Sequence, residues 1–270
     1  MQYLSAPTKR VTVMKEYTDQ YPDLYHEIYF VGDSSDKPAI AELFVKGSCQ
    51  KAKSIDKADV VVFGGGSDVD PALYGEKCHQ STFFDHLRDS QDMEAYAYCL
   101  ENGIPMFGIC RGAQFLHVMN GGKLYQDVNN HNSSHAMYLQ REKVLLKNVS
   151  SVHHQMVIPA PELGMEVLGT SSIATMRHHN DTTTSMGTMN DVEAFFYRDT
   201  CCFGVQGHPE YRGYTEFSVW TMKMLEELIT MNPDVELRGG YRRIKPSVLA
   251  QRELNWVVAN EAANKDKDDA

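Results

Sequence analysis

An α/β fold, with a mostly parallel central sheet covered by helices on both faces and a small antiparallel annex, is predicted by three features of this 270-residue chain. Short, continuously apolar runs alternate with helical patterns, as they do in a sheet buried on both sides. One such run, Pro105-Met-Phe-Gly-Ile109, passes through glycines straight into a helical pattern, a strand-to-helix corner. Between residues 143 and 203 the apolar runs shorten to β-like pieces between polar turns, the mark of antiparallel strands added to a parallel sheet.

Val11-Thr-Val13, Ile28-Tyr-Phe-Val31, Val60-Val-Val-Phe63 and Pro105-Met-Phe107 read as strands. A helix is expected over about 90–102, with Met93, Tyr96 and Leu100 on one face and Gly103 as its stop. The corner helix should run over 111–120 and end at Gly121-Gly122. Val144-Leu-Leu146, Glu166-Val-Leu168 and Glu193-Ala-Phe-Phe-Tyr197 form the annex. The polar stretch Arg177–Ser185 reads as a loop, and its histidine pair, like His131 and His135, lacks Cys or carboxylate partners at ligand spacing, so no metal is expected there. A closing helix over 214–230 places Phe217, Trp220, Met224 and Leu228 on one stripe.

Residues 1–232 therefore form one domain, and 233–270 an extension. The extension holds a basic turn at Arg238–Arg243, an amphipathic helix over 246–259 with Ala250, Leu254, Val257 and Val258 on one face, and a disordered tail from Lys265. That helix suits docking to a partner or to a second copy of the chain.

A hydrophobic content of 42% suffices for a full core. The formal charge of −10 argues against a nucleic-acid partner or an anionic membrane surface. Met1–Arg10 has no signal-like apolar core, and no run approaches the roughly 18 apolar residues of a membrane helix. A cytoplasmic location is expected, and the six unevenly spaced cysteines fit reduced thiols.

One cysteine stands apart. Cys110 occupies the apex of Gly108-Ile-Cys-Arg-Gly112, where the glycines permit a sharp turn and the helix start favours a thiolate. A thiol nucleophile needs a base, and the base an orienting group. Gly204-Val-Gln-Gly-His-Pro-Glu210 supplies both, because Pro209 stiffens the turn through which Glu210 reaches back to His208. Val61-Val-Phe-Gly-Gly-Gly-Ser-Asp-Val-Asp70 lacks the spacing of either glycine-rich phosphate motif. Beside an acyl-transfer Cys, such a loop best serves to aim backbone amides at an oxyanion.

These blocks, together with Ser151-Val-His-His-Gln155, lie in the order found in triad-type (class I) glutamine amidotransferases, which the chain resembles over roughly residues 57–230. Asp70-Pro-Ala-Leu-Tyr-Gly-Glu76, Gly121-Gly-Lys-Leu-Tyr-Gln-Asp127 and His153-His-Gln155 look most like the γ-glutamyl amine hydrolases of that group. The resemblance implies Cys110 as nucleophile, His208 as general base and acid, and Glu210 as orienting carboxylate. It further implies an oxyanion hole of backbone amides at Gly66 and Arg111, and a glutamyl pocket lined by Gly65, Gln114, His153 and His154. The implied chemistry is hydrolysis of the side-chain amide of glutamine, or of a γ-glutamyl amide, through a Cys thioester without metal or organic cofactor.

The first expectation is an amidotransferase that passes ammonia to a separate synthetase, since the chain has no nucleotide-binding signature of its own. The alternatives are an autonomous hydrolase of γ-glutamyl amines and a non-catalytic binding protein. Gly207 stands where the group usually has a large aromatic, which predicts a wider leaving-group side of the pocket.

Overall fold

The computed structural model describes residues 26–32, 39–40, 49–179, 182–188, 190–211, 215–230, 235–238 and 241–244. The strand expected at 11–13, the helix at 246–259 and the tail from 265 lie outside them.

Strands β1 (His26–Phe30), β2 (Cys49–Lys51) and β3 (Val60–Phe63) precede helix α1 (His86–Asn102). Strand β4 (Met106–Ile109) then leads into α2 (Arg111–Met119). There follow β5 (Leu124–Tyr125), β6 (Asp127–Val128), β7 (His135–Leu139), β8 (Val144–Val149), β9 (Met156–Val157) and β10 (Met165–Ser171). After β11 (Thr175–His179) and β12 (Thr182–Met186) come β13 (Val192–Tyr197) and β14 (Cys202–Val205). Helix α3 (Glu216–Thr230) and a hairpin of β15 (Val235–Arg238) with β16 (Tyr241–Ile244) complete the described chain.

Nine strands form one sheet in the order β2-β1-β3-β4-β14-β13-β10-β7-β8. Its first five strands are mutually parallel; from β14 onward every pairing is antiparallel. The expected annex is thus an edge-on continuation of the main sheet, because β14 pairs parallel with β4 on one side and antiparallel with β13 on the other. Alternate residues of each parallel strand face opposite cores. Val60, Val62, Phe107 and Ile109 join Phe217, Trp220, Met224 and Leu228 of α3. Val61, Phe63 and Met106 face Ala95, Tyr96 and Cys99 of α1 and Phe115 and Leu116 of α2.

Two expectations need correction. The polar stretch at 177–185 contributes to paired strands, with β11 hydrogen-bonded to β12 and to β6. Thr175 and Arg177 are buried while Met176 between them is exposed, and this period-two alternation fits β-branched threonines to a half-covered strand. Likewise Arg238 and Tyr241–Arg243, read as part of a turn, belong to β15 and β16.

Helix α1 begins at His86, four residues before the expected start, because the Asp85 carboxylate caps Leu87 N at 2.9 Å and Arg88 N at 3.4 Å. It ends at Gly103, whose φ of 66° is the left-handed stop anticipated for glycine. Its fully buried face is Arg88, Asp89, Asp92, Ala95, Tyr96 and Cys99, whereas Met93 and Leu100 are only half-buried.

Candidate active site

Three adjacent parallel strands end on the same edge of the sheet, and each delivers one block of the sequence. Strand β3 discharges into Gly64-Gly-Gly66, β4 into Cys110, and β14 into Gln206-Gly-His208. Crevices at the carboxyl ends of parallel strands are where open α/β sheets place their ligands.

Cys110 has φ 53° and ψ −112°, a positive-φ conformation that a non-glycine residue adopts only when its surroundings impose it. Its amide donates to Val205 O at 2.8 Å, and its carbonyl accepts from Gln114 N at 3.1 Å, so the strained apex is tied to both β14 and α2. Gly112 makes the corner possible by close approach. A Cβ there would lie 2.0 Å from the Phe63 carbonyl oxygen, so only glycine lets α2 sit this close to β3.

His208 interacts electrostatically with Cys110, and its Nδ1 lies 2.7 Å from Glu210 Oε1. With Nδ1 committed to Glu210, Nε2 is the nitrogen left for the thiol. All three residues are buried. Burial by itself would lower the imidazole, but its interactions with Cys110 and Glu210 outweigh that and raise it to about 10. Tyr211 stacks on the ring with centroids 4.3 Å apart, fixing its plane.

The glycine loop is held from behind. Arg88 Nη2 donates to Gly64 O at 3.0 Å and Arg88 Nη1 to Gly65 O at 3.3 Å. In a trans peptide the N–H points opposite to the C=O, so anchoring these two carbonyls turns the amides of Gly65 and Gly66 away from Arg88. Arg111, the first residue of α2, sends its side chain back to the same loop and donates from Nε to Ser67 O at 3.1 Å. Its guanidinium also pairs with Asp89 and Asp92 of α1, while Arg88 pairs with Asp92 at 3.1 Å. Two cations and two anions thus balance in a buried cluster; desolvation, with Arg88 alongside, brings Arg111 down only to about 10.

None of Arg88, Asp89 and Asp92 stood out in the sequence, nor did the side chain of Arg111. A visible signal existed: charged residues at positions 88, 89 and 92 share the helix face of Tyr96 and Cys99. Charges on a core-facing stripe are retained only when paired.

The residues assigned by resemblance to a glutamyl pocket separate into two groups. Gln114 is buried, and its Nε2 donates to the Gln155 carbonyl at 2.8 Å. His154 is partly exposed and lies 3.2 Å from Asp68 of the glycine loop, whose hydrogen bond raises its pKa. His153 is buried, with its Nδ1 2.9 Å from the same Gln155 carbonyl oxygen and its ring stacked on that of His131 at 4.6 Å. Burial, reinforced by the charge of His131, pushes His153 down to about 3.

The space expected at Gly207 is filled. A Cβ there would lie 2.7 Å from both the Ser150 carbonyl oxygen and Val149 Cγ1, and 3.1 Å from Phe217. Glycine is present because β8 and α3 pack directly on the chain, and Gly207→Trp would displace that packing rather than rebuild a pocket wall.

None of the described cysteines 78, 99, 110, 201 and 202 is in a disulfide, and no helix among the described residues is long and apolar enough to cross a membrane.

Comparison with known proteins finds related sequences and a similar fold. The sequence profile of the Peptidase C26 family matches residues 40–210. The candidate glutamine amidotransferase-like protein YvdE of Lactococcus lactis is 33% identical over 178 residues, covering 58% of this chain and 68% of that protein. The gamma-glutamyl-CDP-amidate hydrolase of Campylobacter jejuni is 26% identical over 151 residues, covering 56% of this chain and 61% of that enzyme. Among solved structures, a candidate GMP synthase component from Thermoplasma acidophilum has a similar fold, with a TM-score of 0.52 at 14% identity over 76% of this chain and 94% of that one.

Proposed function

The chain belongs to the Peptidase C26 family, a class I glutamine amidotransferase-like group, and from that membership we propose that it is an autonomous Cys-dependent amidohydrolase of γ-glutamyl amides. One observation carries the autonomy: the glycine loop is braced by the chain's own Arg88 and Arg111. An amidotransferase that waits for its synthetase would instead need the partner to order this loop.

In the proposed reaction the Cys110 thiolate attacks the γ-carbonyl carbon, and the carbonyl π-electrons move onto oxygen. The N–H groups of Gly66 and Arg111 receive that oxyanion, each worth about 2.7–4 kcal/mol of transition-state stabilisation. His208, held as imidazolium between Cys110 and Glu210, gives its proton to the leaving nitrogen. The C–N bond breaks, and ammonia or an amine departs from a γ-glutamyl thioester. Neutral His208 then takes a proton from water, hydroxide adds to the thioester, and collapse releases glutamate and the thiolate. Glu210 holds the ring in the required tautomer throughout. The Gly65 amide and His154 would contact the glutamyl end of the substrate, with Gln114 supporting them through Gln155.

The second reading, a glutaminase feeding ammonia to a separate synthetase, is favoured by the exposure of Phe83, Leu87 and Val152. Phe83 N is hydrogen-bonded to Asp68 of the glycine loop, and Val152 adjoins His153, so these apolar side chains would offer a docking rim.

Glutamate release from glutamine and from a panel of γ-glutamyl amines separates the two readings, with Cys110→Ala as control. Brisk, Cys110-dependent turnover of a γ-glutamyl amine by the isolated chain is expected, with glutamine at least about tenfold slower. Labelling of Cys110 by a glutamine-like electrophile without turnover of any amide would replace this reading with the amidotransferase one.

A further inference from the structure

Beside β13 lies a buried cluster with no part in the reaction above. It joins His131, which precedes β7, and His153, from the segment before β9, to Glu193 of β13. Each is less than a tenth exposed. One nitrogen of each imidazole and one Glu193 carboxylate oxygen all lie within 4.8 Å of one another.

The hydrogen bonds around the cluster settle which atoms face inward. His131 Nε2 is held at 2.9 Å by Asp191 Oδ2, and His153 Nδ1 at 2.9 Å by the Gln155 carbonyl oxygen. His135 Nε2 lies 2.7 Å from Glu193 Oε1. What remains is His131 Nδ1, His153 Nε2 and Glu193 Oε2, each buried without a hydrogen-bond partner among the described residues. His131 Nδ1 is 3.3 Å from Glu193 Oε1, an ion pair that a bound cation would replace.

Orphaned polar atoms are uncommon in protein interiors, and three from neighbouring side chains point to a shared ligand. The pattern is that of metal-binding histidines, in which one ring nitrogen donates to a carboxylate or a backbone carbonyl and so presents the other's lone pair to the ion. The charges fit as well, because Asp191 is also paired with Arg177, whereas the Glu193 carboxylate is paired only with histidines among the described residues. Two imidazoles and one carboxylate suit a borderline divalent ion such as zinc rather than magnesium or calcium.

We propose that His131, His153 and Glu193 form a structural site for a divalent transition-metal ion of the zinc class. The ion clamps the loop before β7 and the 150–155 segment onto β13. That segment supports the reaction centre indirectly, since Ser150 O accepts from His208 N at 3.0 Å and the Ser151 hydroxyl donates to His131 O at 2.8 Å. The metal takes no part in amide cleavage, so the site stands or falls independently of the proposed activity.

The test uses the full chain, stripped with a chelator, reloaded with zinc and passed through gel filtration. One zinc per chain is expected by elemental analysis. X-ray absorption on the wild-type protein should show two imidazole nitrogens and a carboxylate oxygen at about 2.0–2.2 Å, with no sulfur. Saturating zinc should raise Tm by about 5 °C. Glu193→Gln, nearly isosteric, should weaken zinc binding at least about 100-fold, while Cys110→Ser should keep full stoichiometry. Absence of stoichiometric zinc, a sulfur ligand in the absorption spectrum, or loss of zinc in Cys110→Ser would each overturn the site.

Discussion

At the scale of single residues, the candidate chemistry depends on how one imidazole is charged. His208 is raised to about 10 by Cys110 and Glu210 against the pull of burial, so it remains a proton donor through neutral pH. We expect kcat/KM to fall on the alkaline side as His208 deprotonates. Glu210→Gln should move that limb to lower pH while retaining measurable turnover, because one of the two groups that favour the imidazolium is gone. An alkaline limb that does not move in Glu210→Gln would detach Glu210 from the base. Gly112→Ala should destabilise the protein by about 3 kcal/mol in denaturant titration, since its methyl group meets the backbone of Phe63. Cys110, His208 and Glu210 were legible in the sequence because each sits in a local motif whose backbone requirement is written in neighbouring Gly and Pro. The meeting of His153 with His131 and Glu193 was not, for those residues come from distant parts of the chain.

At the scale of elements, the buried cluster of Arg88, Asp89, Asp92 and Arg111 joins α1, α2 and the glycine loop. Arg88→Met keeps much of the side-chain volume but removes both hydrogen bonds to the loop carbonyls. Its expected result is a kcat lowered at least tenfold with a smaller change in KM, because amides aimed at an oxyanion act mainly in the transition state. It also leaves Asp92 short of one partner, so a loss of about 3 kcal/mol is expected in denaturant titration. Equal losses in kcat and folded fraction would reduce the cluster to a purely structural role. Strand and helix positions were legible wherever periodicity was strong, as in β3, β4 and α3. The β11–β12 hairpin was missed because its polar threonines resemble a loop until Arg177 is seen paired with Asp191 and lying 4.9 Å from the Tyr125 ring.

At the scale of the whole molecule, buried histidines titrate in opposite directions and set a stability window, with His208 and His131 raised and His117 and His153 lowered. His208 is raised from 6.5 to about 10. The folded state therefore binds the extra proton between those values, and its contribution is complete below about 6.5 and lost as pH climbs towards 10. His117 is lowered to about 4 by burial, with Tyr197 OH 2.8 Å from its Nδ1. Its contribution is complete above about 6.5 and lost as pH falls to 4. Denaturation midpoints should therefore decline on both sides of about pH 6.5, and Glu210→Gln should lessen the alkaline decline, to which His131 also contributes, while leaving the acid one. By itself the sequence determined the α/β class, the apolar strands of the parallel half, the strand-to-helix corner and the three residues of the candidate triad. All of these follow from local periodicity and backbone conformation. Only the tertiary structure decided that the annex continues the main sheet, that Gly207 is packed rather than open, that two arginines brace the glycine loop, and that His131, His153 and Glu193 meet. Those facts depend on which distant side chains share a buried volume, and burial turns an ordinary polar residue into one that must find a partner.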